Sequence, residues 1–369
     1  MNENDKAIYE RLTELYNSTD QKVVKNLPLN VNNKYALFSD LHMGDGGNSD
    51  LFKDNEETMK SALGYYKKNG YSIILLGDVE ELWQFNFIEI YNRYDKSIYE
   101  RLRSFQTNKV HRIFGNHDCD WKRPPTDPIL CNKEIQHGAP EAIKLGKDIF
   151  LVHGHQGDKT CDRKTWESRY WARKATFLVH AGKVVGVSNR SATLSQVPGN
   201  REKLYYDWAR EQGVFLICGH THNAIFASNS YYWWLKEQIK KKEKELIKCS
   251  KGQDRISKLY KEIKKLKADI DYENKMLRNY NRLDRNGTPL PCYFNTGCGH
   301  FNDGITNIEI EGDKIRLIKW HKEYSLSLEL RREILWNEKN LSDLREIMNK
   351  SQRDSSSDNN KYKMEEELR

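Results

Sequence analysis

The sequence has no long apolar run and no regular cysteine framework, and both absences limit what the protein can be. No stretch approaches 18 consecutive apolar residues, so we expect no transmembrane helix. The opening MNENDKAIYERLTELY is charged and lacks the apolar segment of a secretory leader, so we expect no signal peptide. The seven cysteines are scattered and form no C-x-x-C pair, which favours reduced thiols and a cytoplasmic location.

Acidic residues are too few to balance the basic ones, and the imbalance is confined to one segment. The 369-residue chain carries 61 Lys and Arg against 53 Asp and Glu, a formal net charge of +8. Residues 236–285 contain 17 of the basic and 9 of the acidic residues, which leaves 44 of each sign elsewhere. A nucleic-acid-binding surface, if the protein has one, should therefore lie in this segment.

Five short apolar runs share one pattern, in which a strand-favouring stretch ends in a small residue or an aspartate beside polar side chains. They are KYALFSDLH, YSIILLGD, KVHRIFGNHD, DIFLVHGH and VFLICGHTH, at residues 34–42, 71–78, 109–118, 148–155 and 214–222. Nearly continuous apolar runs are typical of strands buried on both faces. The stretches between several of them have helical character. This alternation predicts an α/β domain whose polar motifs gather at the carboxyl ends of its strands.

Two further segments have helical periodicity. Ile8, Leu12 and Leu15 lie at helical spacing and predict an N-terminal helix within residues 1–20. Residues 232–285 place apolar side chains three and four apart on both sides of a turn-like CSKGQD, which is coiled-coil spacing. We interpret this segment as an antiparallel helical hairpin inserted into the domain.

The domain organisation follows from these elements. We place the main domain at 30–325, interrupted by the hairpin and by a helical, lid-like segment at 163–195. Short strands are expected after the hairpin, at 290–320, with a tight turn at Gly312 and Asp313. A helix should follow at 326–350. The polar tail at 351–369 should be mobile.

Two roles for the basic hairpin stay open. It could bind nucleic acid through the phosphates, or it could be an arm for oligomerisation or for a protein partner. Acidic residues interleave with the lysines in KKKEKELIK and YKEIKKLKADIDYENK, as in helices stabilised by ion pairs between successive turns. We therefore favour the oligomerisation or partner arm.

Metal-ligating side chains gather at the predicted strand ends. They are Asp40, His42, Asp78, Asn116, His117, Asp118, His153, His155, His220 and His222. A D-x-H or H-x-H pair directs both side chains to one face of an extended chain. Mixed carboxylate, imidazole and amide ligands suit divalent Mn, Fe, Zn, Co or Ni better than Cu(I). One shared carboxylate, for which Asp78 is the candidate, could bridge two ions of the kind that clamp a phosphoryl group.

The order of these motifs, D-x-H, G-D, G-N-H-D, H and G-H-x-H, resembles that of the calcineurin-like metallophosphoesterase superfamily over residues 34–222. The resemblance implies a layered α-β-β-α sandwich of mixed sheets flanked by helices. It also implies two divalent metal ions, with manganese as the first choice and iron, zinc, nickel or cobalt as alternatives. The expected reaction is hydrolysis of a phosphomonoester or a phosphodiester.

The resemblance also implies a role for each motif residue. The first metal would be held by Asp40, His42 and His222, the second by Asn116, His153 and His220, with Asp78 bridging them. A hydroxide between the ions would attack phosphorus. His117, oriented by Asp118, would protonate the leaving group as general acid. Further candidates, which would support the ligands or contact the substrate, are His155, Glu81, Arg163 and His300.

A looser resemblance is to the UDP-2,3-diacylglucosamine hydrolase branch of the superfamily. It rests on the acidic and aromatic run GDVEELW and on the helical stretch that follows HGHQGD. That branch carries an arginine where this chain has His117, and it lacks the 232–285 hairpin. Because an alcohol leaving group needs a proton more than a nucleotide does, His117 favours monoesters or ordinary phosphodiesters.

Three other functions compete with this interpretation. A nuclease or an end-processing phosphatase would use the basic hairpin to hold nucleic acid. A UDP-sugar-lipid pyrophosphatase would follow the looser resemblance. A non-catalytic scaffold is disfavoured, because every expected ligand position is filled.

Overall fold

The computed structural model of the protein describes residues 1–122, 138–159, 201–248, 253–276, 289–322 and 332–351. In this part of the chain, two seven-stranded sheets form the centre and helices cover them. Both sheets combine parallel with antiparallel strand pairs.

The first sheet carries three buried central strands. In spatial order its strands are β1 (Val24–Leu27), β5 (Ala142–Leu145), β6 (Ile149–Val152), β7 (Phe215–Cys218), β10 (Tyr293–Thr296), β8 (Ala224–Phe226) and β9 (Asn229–Ser230). Strand β7 lies parallel to both β6 and β10. Every residue of β6, β7 and β10 is buried, as expected of strands covered on both faces.

The second sheet combines a parallel half with an antiparallel half. In spatial order its strands are β13 (Arg332–Ile334), β12 (Lys314–His321), β11 (Gly304–Glu311), β2 (Lys34–Phe38), β3 (Ser72–Leu76) and β4 (Val110–Ile113), while β14 (Lys339–Asn340) pairs with β12. Strands β2, β3 and β4 are parallel, and β11 pairs antiparallel with β2 and with β12. The β11–β12 hairpin turns at Gly312 and Asp313, where the sequence places a tight turn.

Helices flank the two sheets. They are α1 (Glu3–Asn17), α2 (Glu56–Lys68), α3 (Phe87–Tyr94), α4 (Glu100–Arg103) and α5 (Arg201–Gln212), with a π-helical turn at Asp95–Tyr99 and short 3-10 turns at Lys53–Asn55 and Cys119–Lys122. Ile8, Leu12 and Leu15 of α1 pack with α5 in the core that contains the first sheet.

Alternate residues of the second sheet face two different cores. Leu37 of β2 and Ile74 of β3 belong to the core shared with the first sheet, α1 and α5. Ala36, Phe38 and Ile73 belong to a separate core with α2 and α3. Because side chains alternate across a strand, β2 and β3 are buried on both faces, which explains their nearly continuous apolar sequences. The predicted sandwich of two mixed sheets flanked by helices is confirmed.

Two long helices occupy the segment interpreted as a basic hairpin. They are α6 (Tyr231–Lys248) and α7 (Gln253–Met276), separated by four residues. Ile239, Leu259 and Ile263 are buried in this segment. Ion pairs join Lys242 to Glu262 and Glu243 to Lys267 across the two helices. Part of the basic charge is therefore neutralised within the hairpin.

The C-terminal region differs from the expected helix at 326–350. The described part holds strands β13 and β14, and its helix, α8, begins only at residue 341 and runs to 351. Ile334 of β13 pairs with Ile318 of β12, and Leu335 enters the first core. The apolar residues of this stretch therefore complete a sheet edge instead of forming one face of a longer helix.

Some expectations fall on residues that are not described. The lid-like segment predicted at 163–195 and the tail beyond residue 351 lie outside the described ranges. The boundaries proposed for the main domain, 30–325, stay a prediction. Across the described ranges, no helix has the length and apolar character needed to cross a membrane.

Candidate metal centre

The candidate ligands follow the carboxyl ends of five strands, three from the second sheet and two from the first. Strand β2 leads to Asp40 and His42, β3 to Asp78, β4 to Asn116, β6 to His153, and β7 to His220 and His222. All of these residues except His222 are buried in the described structure. The two sheets thus deliver the polar motifs to one edge, as the sequence predicts.

Five of these residues have a left-handed backbone, which is unusual for residues other than glycine. Their φ angles are 52° at Asp40, 51° at His42, 51° at Asp78, 66° at His220 and 59° at His222. Residues in sparsely populated backbone regions cost about 1–3 kcal/mol each and persist only where the surroundings enforce them. Such residues concentrate at functional sites, so their clustering here supports a site.

Two glycines of the motifs allow the carboxylates to approach the neighbouring backbone. A Cβ added to Gly115 would lie 2.1 Å from Asp78 Oδ1. One added to Gly219 would lie 2.4 Å from Asp40 Oδ2. Both distances are shorter than van der Waals contact, and the Cβ at Gly219 would also meet Ser39 Oγ, so a side chain at either position would displace these groups.

One half of the cluster is built around His153. Its Nε2 lies 3.1 Å from Asp78 Oδ2 and 3.2 Å from Asn116 Oδ1. Its Nδ1 is 2.8 Å from the carbonyl oxygen of Leu76, which fixes the ring with Nε2 facing the cluster. Ligand atoms of Asp78, His153 and His220 lie within 4.8 Å of one another.

The other half is built around Asp40 and His42. Asp40 Oδ1 lies 3.2 Å from His222 Nε2, and that nitrogen is 3.3 Å from His42 Nε2. Ligand atoms of Asp40, His42 and Asp78 lie within 4.8 Å of one another. Asp78 therefore belongs to both halves of the cluster.

The charges of the cluster favour the binding of cations. Burial acts to raise the pKa of the Asp40 carboxyl, but the facing imidazoles of His222 and His153 outweigh burial and lower that pKa. Burial acts to lower the pKa of His153, yet Asp78 and Asp40 raise it to about 9. The carboxylates thus stay ionised and hold protons on nearby imidazoles. Divalent cations would supply the same positive charge in their place.

The residues of the cluster fit a pair of divalent cations. Burial and the neighbouring His153 lower the pKa of His220 to about 3, so its imidazole is uncharged at neutral pH. The buried Nδ1 of His222 has no hydrogen-bond partner among the described residues. Carboxylate, imidazole and amide donors together are a ligand set typical of divalent transition metals.

His117 lies at the edge of the cluster, where its ligand atom is within 4.8 Å of those of His42 and Glu81. Its Nδ1 is 2.8 Å from Glu81 Oε1, and its ring stacks on Trp83 with centroids 3.9 Å apart. Its side chain is 15% exposed, whereas those of His42 and Glu81 are 1% and 2% exposed. Of these three side chains, His117 is therefore the one with partial access to solvent.

The expectation that Asp118 orients His117 is wrong. Asp118 accepts hydrogen bonds from the backbone N–H groups of Gly115, at 2.6 Å, and Val79, at 2.9 Å. Within the described residues it makes no hydrogen bond with His117. Burial raises the pKa of Asp118 to about 7, although Arg112 acts to lower it. Asp118 therefore ties the end of β4 to the loop after β3.

Glu81 makes the contact with His117 that the sequence analysis assigns to Asp118. One of its carboxylate oxygens is 2.8 Å from His117 Nδ1, and the other is 2.9 Å from His42 Nδ1. Burial acts to raise the pKa of Glu81, but His117 and His42 lower it to about 2. One ionised carboxylate therefore orients both a candidate ligand and the candidate proton donor.

Trp83 is the residue that sequence reasoning missed. Besides stacking on His117, its indole Nε1 donates to the backbone oxygen of Asn116 at 2.8 Å. Glu81 and Trp83 stand two residues apart in the run GDVEELW. That spacing, next to the G-D motif, is the signal that could have indicated a shared role.

Two of the three remaining candidates, His155 and His300, lie close to the cluster. His155 is buried, with its ring 5.4 Å from that of His153. Burial and the neighbouring His153 hold its pKa well below the usual value. His300 lies 4.8 Å from His222, ring to ring, so it faces the cluster. Arg163 lies outside the described residues.

Comparisons with known proteins agree with the site. The chain matches the family model described as calcineurin-like phosphoesterase over residues 34–224. A search of curated proteins found no match. Among solved structures, the chain is similar to a cold-active protein-tyrosine phosphatase of a psychrophilic Shewanella species, with 11% identity, a TM-score of 0.35 and coverage of 86% of this chain and 85% of that chain.

A second similar structure is a point mutant of a cold-active protein tyrosine phosphatase, with 11% identity, a TM-score of 0.36 and the same coverage of both chains. A third is a cold-active protein tyrosine phosphatase, with 10% identity, a TM-score of 0.34 and coverage of 86% of this chain and 82% of that chain. TM-scores of this size do not support an assignment. The family match therefore rests on the family model.

Proposed function

The chain belongs to the calcineurin-like phosphoesterase family and is thus a metal-dependent phosphoester hydrolase, and from that premise we propose that it cleaves phosphomonoesters or simple phosphodiesters with His117 as general acid. The family model spans just over half of the chain, from the D-x-H motif to the G-H-x-H motif. The observation that carries the proposal is the 2.8 Å contact between His117 Nδ1 and Glu81 Oε1 beside the ligand cluster.

The two halves of the cluster would each hold one divalent ion. Asp40, His42 and His222 would hold the first, Asn116, His153 and His220 the second, and Asp78 would contact both. Manganese is our first choice, with iron, zinc, nickel or cobalt as alternatives. When bound, such ions activate a water molecule near neutral pH and neutralise charge on the phosphoryl oxygens.

His117 is suited to protonate a leaving group. Its Nδ1 faces the Glu81 carboxylate, so the second ring nitrogen is left for the substrate. Stacking on Trp83 fixes the plane of the ring. A general acid in this position typically contributes ~10²–10⁴-fold to the rate.

The chemistry of the leaving group indicates which class of phosphate ester is the preferred substrate. An alkoxide is a poor leaving group and needs a proton as the bond to phosphorus breaks, whereas an activated phenolate does not. A chain that places a proton donor at this point is therefore suited to esters of ordinary alcohols or sugars. Such esters should be better substrates than pyrophosphates such as a UDP-sugar lipid, whose nucleotide leaving group is already stable as an anion.

Replacing His117 by Asn tests the assignment. We expect unchanged metal content, because His117 lies outside the two ligand sets. With an alkyl phosphate such as glycerol phosphate, kcat should fall by ~10²-fold or more, and with p-nitrophenyl phosphate by much less. A His321→Asn variant, at the end of β12, is the matched control and should behave as wild type. Equal losses with both substrates would contradict the general-acid role.

A substrate panel separates the alternatives. It should contain monoester and bis-ester p-nitrophenyl substrates, mononucleotides, a cyclic dinucleotide, single- and double-stranded nucleic acid, and a UDP-sugar lipid. The proposal predicts the highest kcat/KM with a monoester or a simple diester. A strong preference for nucleic acid would favour a nuclease or end-processing phosphatase, and one for the UDP-sugar lipid a pyrophosphatase. Inertness of protein shown to hold metal, across Mn, Ni, Co and Zn, would contradict catalysis altogether.

A further inference from the structure

We propose, on the basis of the two-metal site of the proposed function, that His300 is an additional ligand, through Nε2, of the ion held by Asp40, His42 and His222. His300 belongs to none of the five motifs. It follows strand β10 in the sequence NTGCGHF, far along the chain from the other ligands.

Three imidazoles meet at this point. The His300 ring lies 4.8 Å from that of His222 and 5.4 Å from that of His42, both in edge-to-face arrangements. Ring nitrogens of His42, His222 and His300 lie within 4.8 Å of one another. Such a convergence of nitrogen atoms is typical of a metal site, because one cation can accept an electron pair from each ring.

The Nε2 atom of His300 is unsatisfied within the described ranges of the chain. It is buried and makes no hydrogen bond with any part of the chain that the structure describes. Leaving a buried polar atom unsatisfied costs about 1–3 kcal/mol. Coordination of a metal by this nitrogen would remove that cost.

The backbone around His300 is held in place on both sides. The Asn55 side chain donates to the carbonyl oxygens of Gly299, at 3.0 Å, and Phe301, at 2.8 Å. Gly299 in turn donates its N–H to the carbonyl oxygen of Asp40 at 2.9 Å. The loop is therefore bound directly to the D-x-H motif, so the position of His300 is fixed relative to His42.

A third imidazole changes the metal preference of this site. It would carry three nitrogen donors from His42, His222 and His300, whereas the other site has two imidazoles and the Asn116 amide. Nitrogen donors favour zinc, iron, cobalt or nickel relative to manganese. The two sites should therefore differ in metal preference.

Titration with Co²⁺ alone tests the inference. Chelator-treated wild type, His300→Ala and His300→Asn should be compared by calorimetry and by the visible spectrum of the bound ion. We expect two equivalents in wild type. In both variants one equivalent should bind about tenfold or more weakly, with a changed spectrum, and the other should bind as in wild type. His321→Ala is the control, and thermal unfolding of the metal-free variants checks that they fold.

The outcomes separate the inference from the proposed function. If both variants bind two equivalents with wild-type affinity and only KM rises, His300 contacts the substrate, and the inference fails while the two-metal function stands. If wild type itself binds no metal, both fail. Weakened binding of one equivalent in His300→Ala and in His300→Asn supports the inference.

Discussion

Replacing Glu81 by Gln should separate the two tasks that its carboxylate performs. Glu81 places one oxygen 2.9 Å from His42 Nδ1 and the other 2.8 Å from His117 Nδ1. A glutamine offers one accepting oxygen and one donating NH₂ group, so it can accept from only one of the two rings. The ring facing the NH₂ group must present an unprotonated Nδ1 and carry its proton on Nε2.

The size of the effect follows from the lost interaction. A hydrogen bond to a charged group contributes about 1.5–3 kcal/mol, which corresponds to roughly 10- to 150-fold in a rate or binding constant. If His42 changes tautomer, its Nε2 can no longer bind metal, and metal affinity falls. If His117 changes, kcat falls most for alkyl phosphates, since Glu81 no longer holds the ring in the orientation that donates to the leaving group.

Metal content and kcat for p-nitrophenyl phosphate and glycerol phosphate are the measurements. Glu57→Gln, on the surface of α2, is the matched control and should show neither loss. Glu81→Asp keeps the charge and should retain more function than Glu81→Gln. Wild-type metal affinity together with wild-type kcat on glycerol phosphate in Glu81→Gln would refute the role assigned to Glu81.

Three further outcomes follow from the structure. Gly115→Ala should lose metal and destabilise the fold by about 1–3 kcal/mol, because its Cβ would lie 2.1 Å from Asp78 Oδ1. Gly64→Ala in helix α2 is the control: its Cβ would meet only the Arg101 side chain, at 3.9 Å, and the variant should keep its metal. In metal-free protein, the stabilisation from the Glu81–His42 pair should be complete between pH about 4.5 and 6.5. This stabilisation should fall below that range, as the pH drops toward the Glu81 pKa of about 2. It should also fall above that range, as the pH rises through the His42 pKa of about 9, which burial acts to lower and Glu81 raises. Urea titrations of wild type and Glu81→Gln measure the effect, and an identical pH dependence in both would contradict it. We propose that the α6–α7 hairpin is an oligomerisation or partner arm. Deleting 232–285 should then change the oligomeric state or abolish capture of the partner, and it should leave binding of a short nucleic-acid duplex unchanged. Salt-dependent duplex binding that disappears on deletion would contradict that role.

Much of the fold could be predicted because strands that are buried on both faces have nearly continuous apolar sequences. The runs YALF of β2 and IILL of β3 are apolar without interruption, and the structure buries each of them between two cores. The C-terminal stretch gave a wrong prediction, because Arg332–Ile334 is a strand at a sheet edge. A short edge strand is partly exposed and has no long apolar run to distinguish it from one face of a helix.

The members of the site could be predicted, but not their pairings. Asp118 adjoins His117 in sequence, yet their side chains diverge at the end of β4, and Asp118 bonds to backbone N–H groups instead. The true partner, Glu81, lies 36 residues before His117 and reaches it because β3 and β4 are neighbours in the sheet. The left-handed backbone of Asp40 and Asp78 also left no sequence signal, because aspartate adopts both ordinary and left-handed conformations and its residue type does not say which.

Metal stoichiometry measures whether Asp78 joins two divalent ions into one hydrolytic site. Wild type and Asp78→Asn should be loaded with Mn²⁺, passed through a desalting column and measured by mass spectrometry for bound metal, with p-nitrophenyl phosphate hydrolysis recorded on the same samples. We expect two ions per chain and activity in wild type, and loss of bound metal together with loss of activity in Asp78→Asn. Two ions and full activity in Asp78→Asn would contradict it.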